Sequence, residues 1–287
     1  MRFHQPSPAL TRYFTTFYLT EIEVADGGQV EDFLHPEWGG LRLFEGSRPE
    51  GAPLGGEPFA DLACVVHGPT ATSIRFRLGT CRSWGIGILP AGWARFVGSP
   101  ANRLANRVVD GAQHPSFAAF RPLIEGVFGA EADEAVELAQ IEAYFLGRMN
   151  EPSADESRII AVHAALVDPE IGTVHDMAAA CDLPAHSLER LCRRHFGFTP
   201  SLLLRRQRFM RSLSQYMLDP SLKWIGAIDQ HYHDQAQFIR DFHRFMGMGP
   251  REYAATPHPI LDAVVRARAA AAGAGVQALH PPRAEAR

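Results

Sequence analysis

The chain has 287 residues, 46% apolar and 21% charged, with a formal charge of −4. These are the proportions of a soluble globular protein long enough for two domains. No apolar run approaches the roughly 18–20 residues that span a bilayer, and the opening MRFHQPSPAL has neither the basic nor the apolar region of a signal peptide. Cys64, Cys81, Cys181 and Cys192 show no CxxC or other zinc-like spacing, so free thiols in a reducing cytoplasm are expected.

Residues 1–115 break into short apolar runs. FTTFYLTEIEV (14–24), LRLF (41–44), LACVV (62–66), SIRFRL (73–78) and WGIGIL (84–89) read as strands, separated by the turn signals DGG (26–28), GAPLGG (51–56) and GPT (68–70). Many short strands with such punctuation predict a barrel or a sandwich. From Pro115 the pattern turns helical. FAAFRPLIEGVF (117–128) is followed by AEADEAVELAQIEAYFLGRM (130–149), where Ala135, Leu138, Ile141 and Leu146 recur near the helical period. Acidic residues in its first turn suit the positive end of the helix dipole. This amphipathic helix reads either as a cover for its own domain or as a dimer contact. NEPSADES (150–157) reads as a polar linker, the chain onward to about 256 as helix, and the tail beyond Pro257 as disordered. The expected class is α+β: a β-rich, barrel-like sensor and dimerisation domain with helices over 1–150, an all-α domain over 151–256, and a disordered tail over 257–287.

The helical part contains a repeat. RLCRRHFGFTP (190–200) set against RDFHRFMGMGP (240–250) pairs Arg190 with Arg240, Arg194 with Arg244, Gly197 with Gly247 and Pro200 with Pro250. Leu188 and Cys192 in one copy, Phe238 and Phe242 in the other, lie four apart on one helix face. Each glycine fits a left-handed position that ends a helix, and the proline three residues on prevents its continuation. A shorter amphipathic segment precedes each copy, TVHDMAAACDL (173–183) and SLKWIGAIDQHY (221–232). Two helices joined by a tight turn, twice over, predict a pair of helix-turn-helix units. Residues 200–218, with Leu202, Phe209, Leu213 and Met217 inward, read as the rod that spaces the second helices for successive major grooves about 34 Å apart. Charge follows the same division. Residues 1–150 hold 12 Arg against 17 Asp and Glu, whereas 184–211 hold seven Arg against Glu189 alone. A confined basic stripe suits a polyanion, although arginines on a solvated helix face give the same count.

On these residues, segment 157–256 resembles the DNA-binding domain of the AraC/XylS family of bacterial transcription regulators. The matching residues are Leu188 and Arg190, the G-x-x-P of 197–200, Arg208, Y-x-D-Q (232–235), F-I-R-D-F (238–242) and G-M-G-P (247–250). More loosely, PSPAL near the start, HP (35–36) and GIGILPAGWARFVGSPANRLANRVV (85–109) resemble the cupin-like sensor domains of such regulators. The resemblance implies double-stranded DNA as partner, a small-molecule effector at the N-terminal domain, and RNA polymerase and a second copy as further partners. It implies no cofactor, and it leaves activation and repression open. It also implies base-edge contacts from His186, Glu189 and Arg190, with Arg193 and Arg194 on phosphates. In the second unit Gln235, Ala236, Ile239 and Arg240 take the outward positions, with Arg244 toward phosphate. Arginine can bond guanine twice and glutamate can accept from cytosine, while phosphate contacts position without specifying. The bland alternatives are that Arg190 pairs with Glu189 or Asp182, and that Gln235 caps its helix.

The chain departs from the family pattern at Pro184, where Ser is usual, at Gly226, where an apolar residue is usual, and at His231, where Gly is usual. A turn built for glycine predicts positive φ at His231, unfavourable for that side chain. Trp38, Trp84 and Trp93, with Tyr13, Phe17 and Tyr18, read either as the lining of an apolar ligand pocket or as core. His35, His67 and His114 lack the H-x-H spacing of a metal cupin, so no metal site is expected. In HYHDQAQFIRDFHRF (231–245) the histidines share no helix face suited to chelation. No GxSxG, P-loop or GxGxxG motif appears. Two rival readings are a cupin-type enzyme with a helical appendage, and a helical interaction module that has lost DNA binding.

Overall fold

A computed structural model of the chain describes residues 1–149 and 151–282. Among the described residues nine strands run in chain order: β1 (Arg2–His4), β2 (Phe14–Ile22), β3 (Val30–Leu34), β4 (Gly39–Gly46), β5 (Glu50–Pro53), β6 (Cys64–His67), β7 (Ile74–Leu78), β8 (Cys81–Ile88) and β9 (Val108–Asp110). The five strands expected from the apolar runs are β2, β4, β6, β7 and β8. The other four are short or polar, with little alternation to reveal them. A large sheet has the order β1-β2-β8-β4-β6-β9 and a small one β3-β7-β5, all neighbours antiparallel. The barrel expectation is thereby corrected. The large sheet ends at β1 and β9, which do not pair with each other or with the small sheet, so the sheets face each other without closing.

Alternation of side chains decides what lies on each face of the large sheet. Phe17, Leu19, Leu41, Leu43, Trp84 and Ile86 are buried on the face covered by helices α1 (Pro90–Gly92), α2 (Arg121–Gly126) and α3 (Glu134–Leu146). Phe145 of α3 lies 4.3 Å from Phe14 and 6.1 Å from Phe17 between ring centres. The Trp84 indole donates to Glu137 at 2.6 Å. Helix α3 therefore covers its own domain, although with Glu137, Ile141 and Phe145 inward while Ala135 and Leu146 are exposed. Tyr18, Thr20, Arg42, Phe44, Val65 and Ser83 point the other way, toward the small sheet.

Seven helices follow: α4 (Glu156–Val167), α5 (Val174–Ala180), α6 (Ala185–Phe196), α7 (Pro200–Leu218), α8 (Lys223–Ala227), α9 (Gln235–Met246) and α10 (Pro250–Ala255). The linker read at 150–157 ends in a fixed joint. Glu156 is 5% exposed and accepts from the Tyr13 hydroxyl at 3.0 Å, Arg12 at 3.2 Å and Arg95 at 3.3 Å. The disordered-tail expectation is corrected over 258–282. Residues Leu261–Ala272 form α11, and Leu261, Val265, Val276 and Ala278 are buried. The alanine-rich stretch offers little apolar periodicity, yet Asp32 accepts from the backbone amides of Ile260 and Leu261, each at 2.8 Å, and so holds the start of the helix. Residues 283–287 lie outside the described residues. No helix among the described residues is long and apolar enough to cross a membrane.

Candidate nucleic-acid interface and sensor cavity

The two predicted units form as α5–α6 and α8–α9, joined by α7. Helix α6 buries Leu188, Leu191, Cys192 and Phe196, and α9 buries Phe238, Phe242, Phe245 and Met246. Both helices end in left-handed glycines, Gly197 at φ 84° and Gly247 at φ 76°. Asp234 caps α9, its carboxylate accepting from the Gln237 amide at 2.6 Å, while the Gln237 side chain accepts from the His233 amide at 3.1 Å. Gln235 is therefore not the cap.

The turns differ. Helix α5 ends at Ala180 and α6 begins at Ala185, with Asp182 taking φ 50° between them. Helix α8 ends at Ala227 and α9 begins only at Gln235. His231 does not have positive φ, so the strain expected there is absent. The second turn is instead longer, and α8, carrying Gly226, spans five residues. The His231 ring sits against Gly172, with Nε2 2.6 Å from the Pro169 carbonyl, which ties the second turn to the loop before α5.

The motif residues of the second unit converge on one buried carboxylate. Asp241 is fully buried and accepts from Arg205, from Arg208 at 3.3 Å and from the Tyr232 hydroxyl at 3.0 Å. Arg208 also donates to the His231 carbonyl at 3.1 Å and lies 4.3 Å over the Tyr232 ring. Linker helix, turn and recognition helix are thus pinned at a single point, and burial followed by Asp241 raises the Tyr232 pKa.

All ten sequence-predicted DNA contacts are exposed: His186, Glu189, Arg190, Arg193 and Arg194 on α6, and Gln235, Ala236, Ile239, Arg240 and Arg244 on α9. The arginine stripe divides. Arg205, Arg208 and Arg211 pair with Asp241 and Asp229, and Arg206 is fully buried. Arg193 takes Glu189 at 2.9 Å, so Arg190 has no ion pair among the described residues. The outer face of α6 carries three arginines against one glutamate, a net +2, and that of α9 carries Arg240 and Arg244. A groove of about 470 Å³ between the units, lined by Arg205, Arg208, Arg211, His231 and Arg240, escaped the sequence reading because its residues come from three separate segments.

One loop of the N-terminal domain, residues 69–73, touches both units. A Cβ on Gly197, at the end of α6, would lie 3.3 Å from Pro69. At the end of α9, the Ser73 amide donates to the Phe245 carbonyl at 2.8 Å and its hydroxyl to Met246 at 3.3 Å. Between them Arg206 of α7 donates to the carbonyls of Thr70 at 3.0 Å and Glu37 at 3.3 Å, its guanidinium 4.0 Å over the Trp38 ring. Burial lowers the Arg206 pKa to about 9, against the opposing pull of Glu37.

A cavity of about 90 Å³ lies between the two sheets and is bounded on one side by α11. Of the two readings of the three tryptophans, lining or core, the structure has the core. Trp38 packs under Arg206, the Trp84 indole is spent on Glu137 and that of Trp93 on the Ser99 carbonyl at 2.8 Å. All three are at most 2% exposed core residues on the other side of the pleat or beyond it. Of the six aromatic residues considered, only Tyr18 lines the cavity. His35 also lines it, with Nε2 2.8 Å from the Tyr253 hydroxyl, and burial together with His258 lowers its pKa to about 3. No group of three or more His, Cys, Asp or Glu among the described residues is placed to hold a metal.

A helix-turn-helix domain family matches residues 177–256. No curated protein matches the chain. Among solved structures, the chain is similar to the crystal structure of ToxT from Vibrio cholerae O395, at 13% identity over 83% of this chain and 96% of that one, TM-score 0.44. It is similar also to unsaturated fatty acid bound wild-type ToxT from Vibrio cholerae strain SCE256, at 12% identity over 83% and 94%, TM-score 0.44. Residues 177–256 are an AraC-type helix-turn-helix domain, and the chain that carries them is a DNA-binding transcription regulator.

Proposed function

We propose that this regulator acts in the cytoplasm by binding rather than catalysis, that it reads double-stranded DNA with α6 and α9 in successive major grooves, and that a small ligand or partner at the N-terminal domain controls it. The observation that carries the reading is the division of arginines: those facing inward are matched by Asp229 and Asp241, while Arg190, Arg240 and Arg244 stay exposed on the two recognition helices. Helix α7 has 19 residues, about 28 Å of rod, comparable with the roughly 34 Å between successive grooves on one side of the duplex. In the proposed roles His186, Glu189, Arg190, Gln235, Ala236, Ile239 and Arg240 face base edges. Arg193, Arg194 and Arg244 bind phosphates.

The test is a footprinting and gel-shift comparison on the DNA upstream of its own gene. Arg190→Ala is expected to weaken specific binding by about 1–3 kcal/mol and to relax the preference at one base pair. An unchanged sequence preference would remove Arg190 from the base-reading set. The absence of salt-dependent binding to that DNA would instead favour a helical module that has lost DNA binding.

A further inference from the structure

Each helix-turn-helix unit has its own attachment to the N-terminal domain, and the two differ in kind. The first unit is held where α4 begins, by Glu156 under Tyr13, Arg12 and Arg95, and along α4 by the His163 ring, 5.3 Å from that of Trp38. The second unit is held by the chain that follows it. Just past α10 the His258 ring has Nε2 3.1 Å from the Tyr253 carbonyl and Nδ1 3.3 Å from the Asp32 carboxylate of β3. Asp32 is 1% exposed. It accepts from the Ile260 and Leu261 amides, with the neighbouring Phe33 amide at 2.8 Å as its other donor among the described residues. A carboxylate buried that far is costly unless donors surround it, so β3 is built around the segment that returns to it. The far end is seated as closely. Gln277, 2% exposed, donates to the Gly39 carbonyl at 3.0 Å, and β8 leaves room for it, since a Cβ on Gly87 would lie 2.7 Å from Gln277 Nε2. The fully buried Ala278 accepts from Gln207 of α7 at 2.7 Å, and a Cβ on Gly275 would lie 3.4 Å from the Ser214 hydroxyl of the same helix.

We infer that residues 258–280 form an intramolecular strap, that it seats the second unit on the N-terminal domain, and that α9 reads its share of the DNA only while the strap is docked. Asp32, Gln207 and Gln277 are then positioning residues, and none of them touches the duplex. This rests on the two-unit reading proposed above and places a condition on its second half. The second unit needs outside support. Its α8 has five residues, and residues 228–234 separate α8 from α9, whereas only 181–184 separate α5 from α6. A helix that short holds little by itself. The support comes from the N-terminal domain, as the Ser73 bonds to the Phe245 and Met246 carbonyls and as His35, whose Nε2 is 2.8 Å from the Tyr253 hydroxyl. Tyr253 in turn packs 5.5 Å from Phe242 of α9. These contacts last only while the domain lies against the unit. Two residues, Thr256 and Pro257, separate α10 from His258, a tether too short to absorb a displacement. With the strap free, α6 stays oriented through the Glu156 joint. Helix α9 then samples orientations of which a fraction fit the groove, and its apparent affinity falls by that fraction.

The experiment severs the strap in the folded, full-length protein. A recognition site for a sequence-specific protease is inserted at the exposed Pro257, the uncut protein serving as control. Ala278→Arg supplies a second route, because it unseats the strap and alters no residue of either unit. Footprints are taken across a protein titration on the DNA upstream of its own gene, with the half read by α9 identified through Arg240→Ala. Cutting and Ala278→Arg are each expected to raise the concentration needed to protect the α9 half by about tenfold, while the α6 half is protected as before. Unchanged protection of both halves overturns the proposal, and so does an equal loss at both, which would make the strap a general support of the fold. A gain in affinity overturns it as well, since the strap would then restrain binding. Hydrogen exchange without DNA gives an independent readout: the α9 amides should exchange about tenfold faster after cutting and the α6 amides at their former rate. Equal rates in cut and uncut protein overturn the strap. If the unaltered protein gives no two-part, salt-dependent footprint, the two-unit reading fails, and hydrogen exchange then decides the strap alone.

Discussion

Replacing Asp241 by Ala tests whether one buried carboxylate holds the second unit together. Asp241 is fully buried and receives Arg205, Arg208 and the Tyr232 hydroxyl. Removing one partner of a buried ionic cluster typically costs about 3–5 kcal/mol, because the remaining charges stay desolvated. Here the loss lies toward the lower end. The Arg205 side chain is 34% exposed and can turn to water, and Arg208 keeps the His231 carbonyl and the Tyr232 ring. We expect a loss of about 3 kcal/mol for Asp241→Ala, against less than about 1 kcal/mol for Arg205→Ala, since Arg205 is itself one-third exposed and Arg208 and Tyr232 still satisfy Asp241. Urea denaturation followed by tryptophan fluorescence reads both, since Trp224 stacks on Tyr216 at 3.7 Å and lies 5.0 Å from Phe242 of α9. DNA affinity should fall with Asp241→Ala although Asp241 faces away from the duplex, because α9 loses its register on α7. The double variant with Arg208→Ala should show a coupling above about 1 kcal/mol. The reasoning is refuted if Asp241→Ala costs no more than Arg205→Ala, or if its effect simply adds to that of Arg208→Ala.

Three further outcomes are expected. Arg194→Ala should weaken binding to all sequences alike and reduce the slope of log K against log salt by about 1, read by titrations at several salt concentrations. Gly226→Ala should stabilise the second unit by about 0.5–1 kcal/mol in urea denaturation, since α8 is short and a Cβ there meets only Leu222 at an ordinary 3.4 Å. His163 is 2% exposed between Trp38 and Phe196, and burial, with His280 nearby, lowers its pKa to about 3. The unfolded chain therefore takes up the proton first, near pH 6.5. Stability then falls from about pH 6.5 down to about 3, by about 2 kcal/mol at pH 5 for this group. His163→Leu should flatten the loss between pH 7 and 5 by that amount, and an unaltered slope would show that the histidine is not buried neutral.

What could be read from the sequence was whatever repeats or alternates locally. The paired G-x-x-P signals at 197–200 and 247–250 placed both helix ends, because left-handed glycine and the following proline are local chemistry. The recognition faces followed from Leu188, Cys192, Phe238 and Phe242 by the same logic. The errors all involve residues whose fate is set at long range. His231 looked strained because the turn was assumed to match that of the first unit, yet the helix before it unwinds early and the ring finds Pro169, 62 positions away. The tail looked unstructured because its alanines carry no pattern, and its anchor, Asp32, lies more than 200 residues earlier. The choice between lining and core for the tryptophans stayed open for the same reason: a one-residue step along a strand reverses the face, and Trp84 lies on the opposite face from Ser83.

The joint at Arg206 makes the position of the sheets matter to the recognition helices. Among the described residues Arg206 has no carboxylate partner; its donors reach the Thr70 and Glu37 carbonyls and the Gln207 side chain. An apolar residue of similar size would avoid the cost of burying the charge, so stability alone does not account for an arginine here. What the guanidinium adds is direction: three acceptors and the Trp38 face fix α7 in one orientation on the N-terminal domain. Glu37 belongs to both ends of this path, since its carboxylate pairs with Arg42 in the cavity and its carbonyl accepts from Arg206. A ligand alters DNA affinity only by the difference in its affinity for two arrangements of the protein. Glu37 is one residue at which such a difference can arise, because any shift of it moves an acceptor on which the orientation of α7 depends.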